Sequence, residues 1–193
     1  MLCFGGNVSA ASVLNHFGSS VDRVLIGRFW GATVLGFYSK AFSMLTLPLA
    51  QMNPPIAAVA LPAMSRLVER PECYRKSYLS VLEKLASISA PLVAWMIVCS
   101  NWLCDLLLGP QWAPAASVFS VLGYAGLLLP VWNSTGWVFM SQGRAKDHLR
   151  FHMLDSVCKV VSVVAGLRWG GIGVAVGVAV RYYLMMPVLF YMV

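Results

Sequence analysis

Charge is what this sequence has least of. Only seven of its 193 residues are Asp or Glu and 14 are Lys or Arg, so charged side chains make up 11% of the chain while hydrophobic ones make up 59%. A soluble domain carries roughly a quarter charged residues. The seven carboxylates are dispersed, which leaves no acidic cluster suited to a divalent ion beside a lipid phosphate. GxSxG, HExxH and Walker loops are missing as well, and with them the usual nucleophilic, zinc-dependent and nucleotide chemistries. The expectation is therefore a protein that is not an enzyme, with no catalytic, cofactor-binding or metal-ligating residues. Cys3, Cys73, Cys99, Cys104 and Cys158 are odd in number and match neither CxxC nor a zinc spacing, so they read as small apolar fillers. Nothing basic precedes Arg23, so no cleavable secretory signal is expected and the chain inserts through its own helices.

What is abundant is uncharged sequence. Residues 41–65, 85–104 and 106–143 contain no Asp, Glu, Lys or Arg, and a helix needs roughly 20 residues to cross a hydrocarbon core. We expect an all-α, polytopic membrane bundle of about six transmembrane helices in a single domain over residues 1–193. The spans are placed at 8–26, 33–64, 78–101, 113–140, 151–167 and 170–193. The second holds Pro48, Pro54, Pro55 and Pro62, which predict kinks because each removes a backbone donor. Gly109-Pro110-Gln111-Trp112 predicts a turn or short interfacial helix over 104–114, with Trp102 and Trp112 at headgroup level. Residues 69–84 read as a short amphipathic linker. Gly173 and Gly177 form a GxxxG match, read mainly as ordinary close packing in a glycine-rich segment.

The net charge of +7 does not point to nucleic acid, because the basic residues lie in short connectors between apolar runs. They serve as topology signals. With alternate loops sharing a side, Arg66, Arg70, Arg75, Lys76, Lys84, Arg144, Lys146 and Arg150 fall together, and Arg23, Arg28, Lys40 and Arg168 fall opposite. The richer side is expected to be cytoplasmic, along with both termini.

The first helix carries the clearest functional pattern. At 100° per residue, Ser9, Ser12, Asn15, His16, Ser19, Ser20, Asp22 and Arg23 gather into an arc of about 160°. Lipid offers such a stripe no hydrogen-bonding partner, so it faces either other protein or a water-filled pathway. Asp22 and Arg23 are read as a solvated interface pair, with partners on other spans as the sharper reading. Arg181 lies in the middle of the last span, where a guanidinium either forks onto an anionic head group or snorkels to an interface. Asp155 and Lys159, at i and i+4, are expected to neutralise each other.

Specific strings go further than periodicity. Phe4-Gly5-Gly6-Asn7, Leu14-Asn15-His16-Phe17 and the run from Asp22 to Gly31 come first. Leu35 to Ala41, Leu47-Pro48, Leu61 to Arg66 and Leu107 to Trp112 follow in order. Together they resemble the second half of Wzx-type polysaccharide and lipopolysaccharide flippases, in the multidrug, oligosaccharidyl-lipid and polysaccharide exporter superfamily. The resemblance implies a bacterial inner-membrane carrier in polysaccharide biosynthesis. Its cargo would be an undecaprenyl pyrophosphate-linked oligosaccharide, moved by alternating access between two six-helix bundles. This chain supplies about one bundle, so a missing first-half bundle or a partner copy is implied, and the chain reads as a probable fragment. Within that reading Asn15, His16, Asp22, Arg23 and Arg181 are the candidate pathway residues. The alternatives are an exporter of drugs or peptidoglycan precursors from the same superfamily, or a noncatalytic subunit or truncated remnant.

Overall fold

The computed structural model describes the backbone of residues 2–192 and the side chains of residues 20–189. Every regular element among the described residues is helical: α1 (Leu2–Arg66), α2 (Pro71–Val98), α3 (Ser100–Leu108), α4 (Ala113–Gly126), α5 (Leu129–Ser141), α6 (Ala145–Gly166) and α7 (Gly170–Met192). Single 3-10 turns at Pro110–Trp112 and Leu167–Trp169 complete the chain.

Three helical stretches are long and apolar enough to cross a membrane, namely Ser20–Arg66, Pro71–Val98 and Ala145–Leu189. A fourth comes from residues 110–126 and 129–141, joined at a 42° bend. Two of the three are folded back on themselves. Gly31, with φ 81°, interrupts α1, and the reversal is shown by contacts between its arms: Tyr38 bonds Asp22, and a Cβ on Gly27 would meet Leu35. Gly170, with φ 71°, turns α6 into α7. Both glycines hold the left-handed region that other residues rarely adopt. The result is six crossing arms, 2–30, 32–66, 71–98, 113–141, 145–166 and 170–192, in an all-α polytopic membrane bundle.

Several expectations change in detail. The four prolines of the second arm lie within continuous helix, and Gly31 is the position within α1 with non-helical dihedrals. Residues 69–84 form no separate linker: the turn closes by Arg70, and Pro71, whose missing donor is harmless at a helix start, begins α2. The turn expected over 104–114 consists of the end of α3, Gly109 at φ 92° and the Pro110–Trp112 turn.

The two ends of the bundle differ. Trp30 donates its indole N–H to the Leu167 carbonyl at 2.8 Å, and Phe37 meets Trp112 edge-on at 5.5 Å, which gathers the turns at 31, 109–112 and 167–170 at one end. Tyr74 hydroxyl meets Ser141 hydroxyl at 2.7 Å, which puts the 66–71 and 141–145 connectors at the other. The first end is rich in tryptophan, the second in Lys and Arg. Packing between them centres on α4, where Ala115, Ala116, Phe119 and Leu122 are fully enclosed by α1, α2 and α7. Val24, Leu47, Val59, Ile88, Val161 and Leu184 are exposed instead, as suits side chains whose outer solvent is lipid.

Close approach of α6 and α7 depends on glycine. A Cβ on Gly173 would lie 2.3 Å from the Gly166 carbonyl oxygen, and one on Gly177 would lie 2.5 Å from that of Ser162. The GxxxG match is thus a packing seam. An apolar groove of about 590 Å³ runs outside it, lined by Ser162, Gly166, Trp169, Gly173, Gly177 and Val180, and holds none of the charged residues.

Candidate functional site: a charge cluster at mid-depth

Four charged side chains from three arms meet inside the bundle. Asp22 of α1 is 1% exposed, Arg181 of α7 is 3% exposed, and Asp155 and Lys159 of α6 are each 8% exposed. From Gly31 back to Asp22 is about 13 Å of helix, and from Gly170 on to Arg181 about 16 Å, at 1.5 Å per residue. Both distances reach the middle of a hydrocarbon layer about 30 Å thick. A lone charge at that depth costs about 3 kcal/mol or more. The cluster offsets this by pairing and is formally neutral, with two carboxylates and two cations.

The pairs run between helices. Lys159 donates through Nζ to Asp22 Oδ1 at 3.3 Å, and Tyr38, fully buried on the second arm of α1, donates its hydroxyl to Asp22 Oδ2 at 2.8 Å. Arg181 donates to Asp155 Oδ1. Its guanidinium also lies over the rings of Trp132, at 5.5 Å, and Tyr182, at 4.4 Å. The expected local neutralisation of Asp155 by Lys159 is therefore corrected. Facing helices offer each charge a partner aimed across the interface, whereas a neighbour at i+4 lies alongside it.

The candidate residues named from the sequence separate into three groups. The side chains of Asn15 and His16 lie outside the described residues. Asp22 and Arg181 join one cluster. Arg23 points elsewhere, exposed, with its guanidinium 5.5 Å from the centre of the Phe42 ring. Asp22 and Arg23 are thus not a solvated pair, because adjacent residues on a helix point 100° apart and only one of them faces the bundle. Arg181 neither snorkels nor presents an open fork, since Asp155 and two aromatic faces hold it in place. Sequence reasoning missed Tyr38, Trp132, and the histidines His148 and His152, whose Nε2 atoms meet at 3.1 Å. One signal was available: His148, His152, Asp155 and Lys159 follow each other at steps of four, three and four residues along a single face of α6. Among the described residues no group of three or more His, Cys, Asp or Glu side chains is placed to hold a metal ion.

A multi-pass helical membrane protein whose arms are joined by compensated charges at mid-depth is the class that fold and site define. Sequence comparison narrows it. Residues 1–117 match the family described as polysaccharide biosynthesis protein, and the chain belongs to that family. It is 31% identical over 142 residues to the teichuronic acid biosynthesis protein TuaB of Bacillus subtilis, a match covering 74% of this chain and 29% of the relative. It is 28% identical over 177 residues to the lipopolysaccharide biosynthesis protein WzxC of Escherichia coli, covering 91% of this chain and 36% of the relative. The amylovoran biosynthesis protein AmsL of Erwinia amylovora is 22% identical over 159 residues, covering 82% of this chain and 41% of the relative. The chain thus spans about a third of the length of its first two relatives. No solved structure matches it. These relatives agree with the Wzx-type resemblance and with a role in polysaccharide biosynthesis.

Proposed function

We propose that this chain is one six-helix bundle of a carrier that flips a lipid-linked oligosaccharide across the bacterial inner membrane. The observation that carries the reading is the buried cluster of Asp22, Lys159, Asp155 and Arg181. Intramembrane ionisable residues are expensive, and where they occur they commonly mark ion or substrate pathways. Membership of a polysaccharide biosynthesis family supplies the cargo class, and undecaprenyl pyrophosphate is the anchor expected for it.

Alternating access would rock this bundle against a second one, supplied by a longer parent chain or a partner copy. In that cycle the charge cluster joins three arms at mid-depth. Arg23, exposed on the same helix as Asp22 and over the Phe42 ring, is the cation proposed to meet a pyrophosphate, and Asn15 and His16 extend the same helix as pathway residues. Arg66, Arg70, Arg75, Lys76, Arg144, Lys146 and Arg150 gather at one end, which supports the reading of that end, with both termini, as cytoplasmic. The role is that of a carrier without catalytic residues.

Complementation of a flippase-deficient strain tests this, with the chain alone and as part of its extended parent. Rescue by the parent, lost on Arg23→Gln at normal protein level, is the expected result. Rescue by neither form would remove the transport reading in favour of an assembly subunit or a remnant.

A further inference from the structure

We propose that the inward face of α6 is a proton path, leading from the basic end of the bundle to the Asp22 carboxylate at mid-membrane. The path consists of His148, His152, Asp155 and Lys159, which at 100° per residue share an arc of about 60°. His148, Asp155 and Lys159 are buried, and His152 is half-buried. Ionisable side chains thus take three of the buried positions of α6, His148, Asp155 and Lys159, on a face that otherwise presents Ala145, Phe151, Val163 and Gly166.

Packing alone does not account for this row. Two ion pairs explain Asp155 and Lys159, but His148 and His152 bond to each other instead of to a neighbouring helix. One of the two rings must therefore offer a bare nitrogen at the contact while the other donates. His148 Nδ1 is buried and bonds no other side chain or backbone group. The outer end of the row lies one turn from Arg144 and next to Asp147, a half-exposed pair at 2.9 Å at the helix start.

The inner end is defined by an inequality between the two ion pairs. Arg181 stays protonated under all working conditions, and with Asp155 it forms a fixed contact. Lys159 carries an ammonium that can give up its proton, and its partner Asp22 retains a second donor, Tyr38, when Lys159 lets go. A proton that enters at His148 Nδ1 from the helix start releases the one on Nε2 to His152 Nε2, and His152 gives up its Nδ1 proton toward Lys159, two turns further along the same face. The Lys159 ammonium passes a proton to Asp22 and is reprotonated from behind. The net change is one proton removed from water at the basic end and one carboxylate converted to carboxylic acid, which breaks the Asp22–Lys159 ion pair. Among the described residues, the charged and titratable groups around the path are Asp22 and Tyr38 from α1, Arg181 and Tyr182 from α7, and Arg144 and Asp147 at the α6 start. Trp132 of α5 covers Arg181.

Time-resolved infrared spectroscopy of the purified chain in nanodiscs, after a downward pH jump, tests this without any glycan. Failure here therefore leaves the carrier reading standing, and failure of complementation leaves this one. The wild type is expected to gain a protonated-carboxyl band that Asp22→Asn abolishes. His148→Gln and His152→Gln, made separately, are each expected to slow its rise about tenfold or more at unchanged amplitude. A packing role for the histidines would alter stability and leave that rate alone. The wild-type rise is also expected to slow in heavy water, a measurement that needs no variant to fold. Absence of the band in the wild type, its survival in Asp22→Asn, or a rise indifferent to both histidines and to heavy water would each overturn the proposal.

Discussion

Replacing Lys159 by Met and Asp22 by Asn, singly and together, puts the buried pair to a quantitative test. Two unit charges 3.3 Å apart attract by about 5 kcal/mol at the effective dielectric constant of roughly 20 that suits protein sites. Neither single variant should lose all of this. When Asp22 is neutralised, Asp155 one turn back on α6 still compensates part of the Lys159 charge. When Lys159 is removed, the Tyr38 hydroxyl still satisfies one oxygen of Asp22. Each single variant is therefore expected to lose about 3 kcal/mol, within the usual cost of stranding one member of a buried pair. The double variant strands no charge and is expected to lose no more than about 2 kcal/mol, so the coupling is about 4 kcal/mol. Arg144 and Asp147, exposed at 40% and 31%, supply the contrast. Solvent screens that pair, and its cycle should give about 0.5 kcal/mol or less. Unfolding in mixed detergent micelles, followed by circular dichroism, reads all of these. Additivity of the Asp22 and Lys159 changes to within about 0.5 kcal/mol would refute the reasoning, since the two side chains would then not share an ion pair.

Four more variants can be measured on the same preparation. Gly173→Ala forces a Cβ to within 2.3 Å of a carbonyl oxygen on α6 and is expected to destabilise by about 2 to 3 kcal/mol. Gly36→Ala meets nothing closer than Trp112 at 3.9 Å and should stabilise by about 0.5 kcal/mol or more through helix propensity; the same micelle titration compares the two, and equal effects would contradict the seam. Trp30→Phe removes the indole bond to Leu167 and should cost about 1 kcal/mol, seen as faster hydrogen exchange at residues 167–170 than in the parent. Arg23→Gln should leave stability within about 0.5 kcal/mol, so that any loss of export in the parent chain is a loss of cargo contact.

The spans were legible because their signal is local. Uncharged length and the punctuation at Gly109-Pro110 and Gly170 mark several of the arms, and Arg181 was visible as a charge in the middle of the last one, although Gly31 was not read as a turn. What sequence spacing could not supply was the partner. Lys159 and Asp155 are neighbours along α6, yet their counterions lie on α1 and α7, 137 and 26 residues away. The prolines of the second arm, of which Pro54, Pro55 and Pro62 are exposed, lie inside a stretch whose dihedrals stay helical. The GxxxG match in α7 was readable as a pattern, but its partner, the backbone of Gly166 and Ser162, was not.

How the arms are joined also decides how they can separate. Lipid tails are as apolar as leucine, so burial of hydrocarbon does little to hold one spanning helix against another, and small residues and polar contacts do more of the work. The α6–α7 hairpin uses the first device, with glycine backbones in direct contact, and adds the Arg181–Asp155 pair, whose cation cannot be discharged. The first arm of α1 meets α6 through the second device, at Asp22, and is tied at the tryptophan end by Trp30. One junction is thus fixed by shape and a permanent charge, while the other depends on a carboxylate and an amine that can both be neutralised. Neutralising Asp22 should accordingly loosen the first arm against α6 and leave the hairpin intact. Disulfide trapping between cysteines placed on the first arm and on α6 should then fall in Asp22→Asn, with trapping across the α6–α7 seam unchanged. Equal loss at both junctions would mean that the bundle opens as one piece and that the two ion pairs are interchangeable.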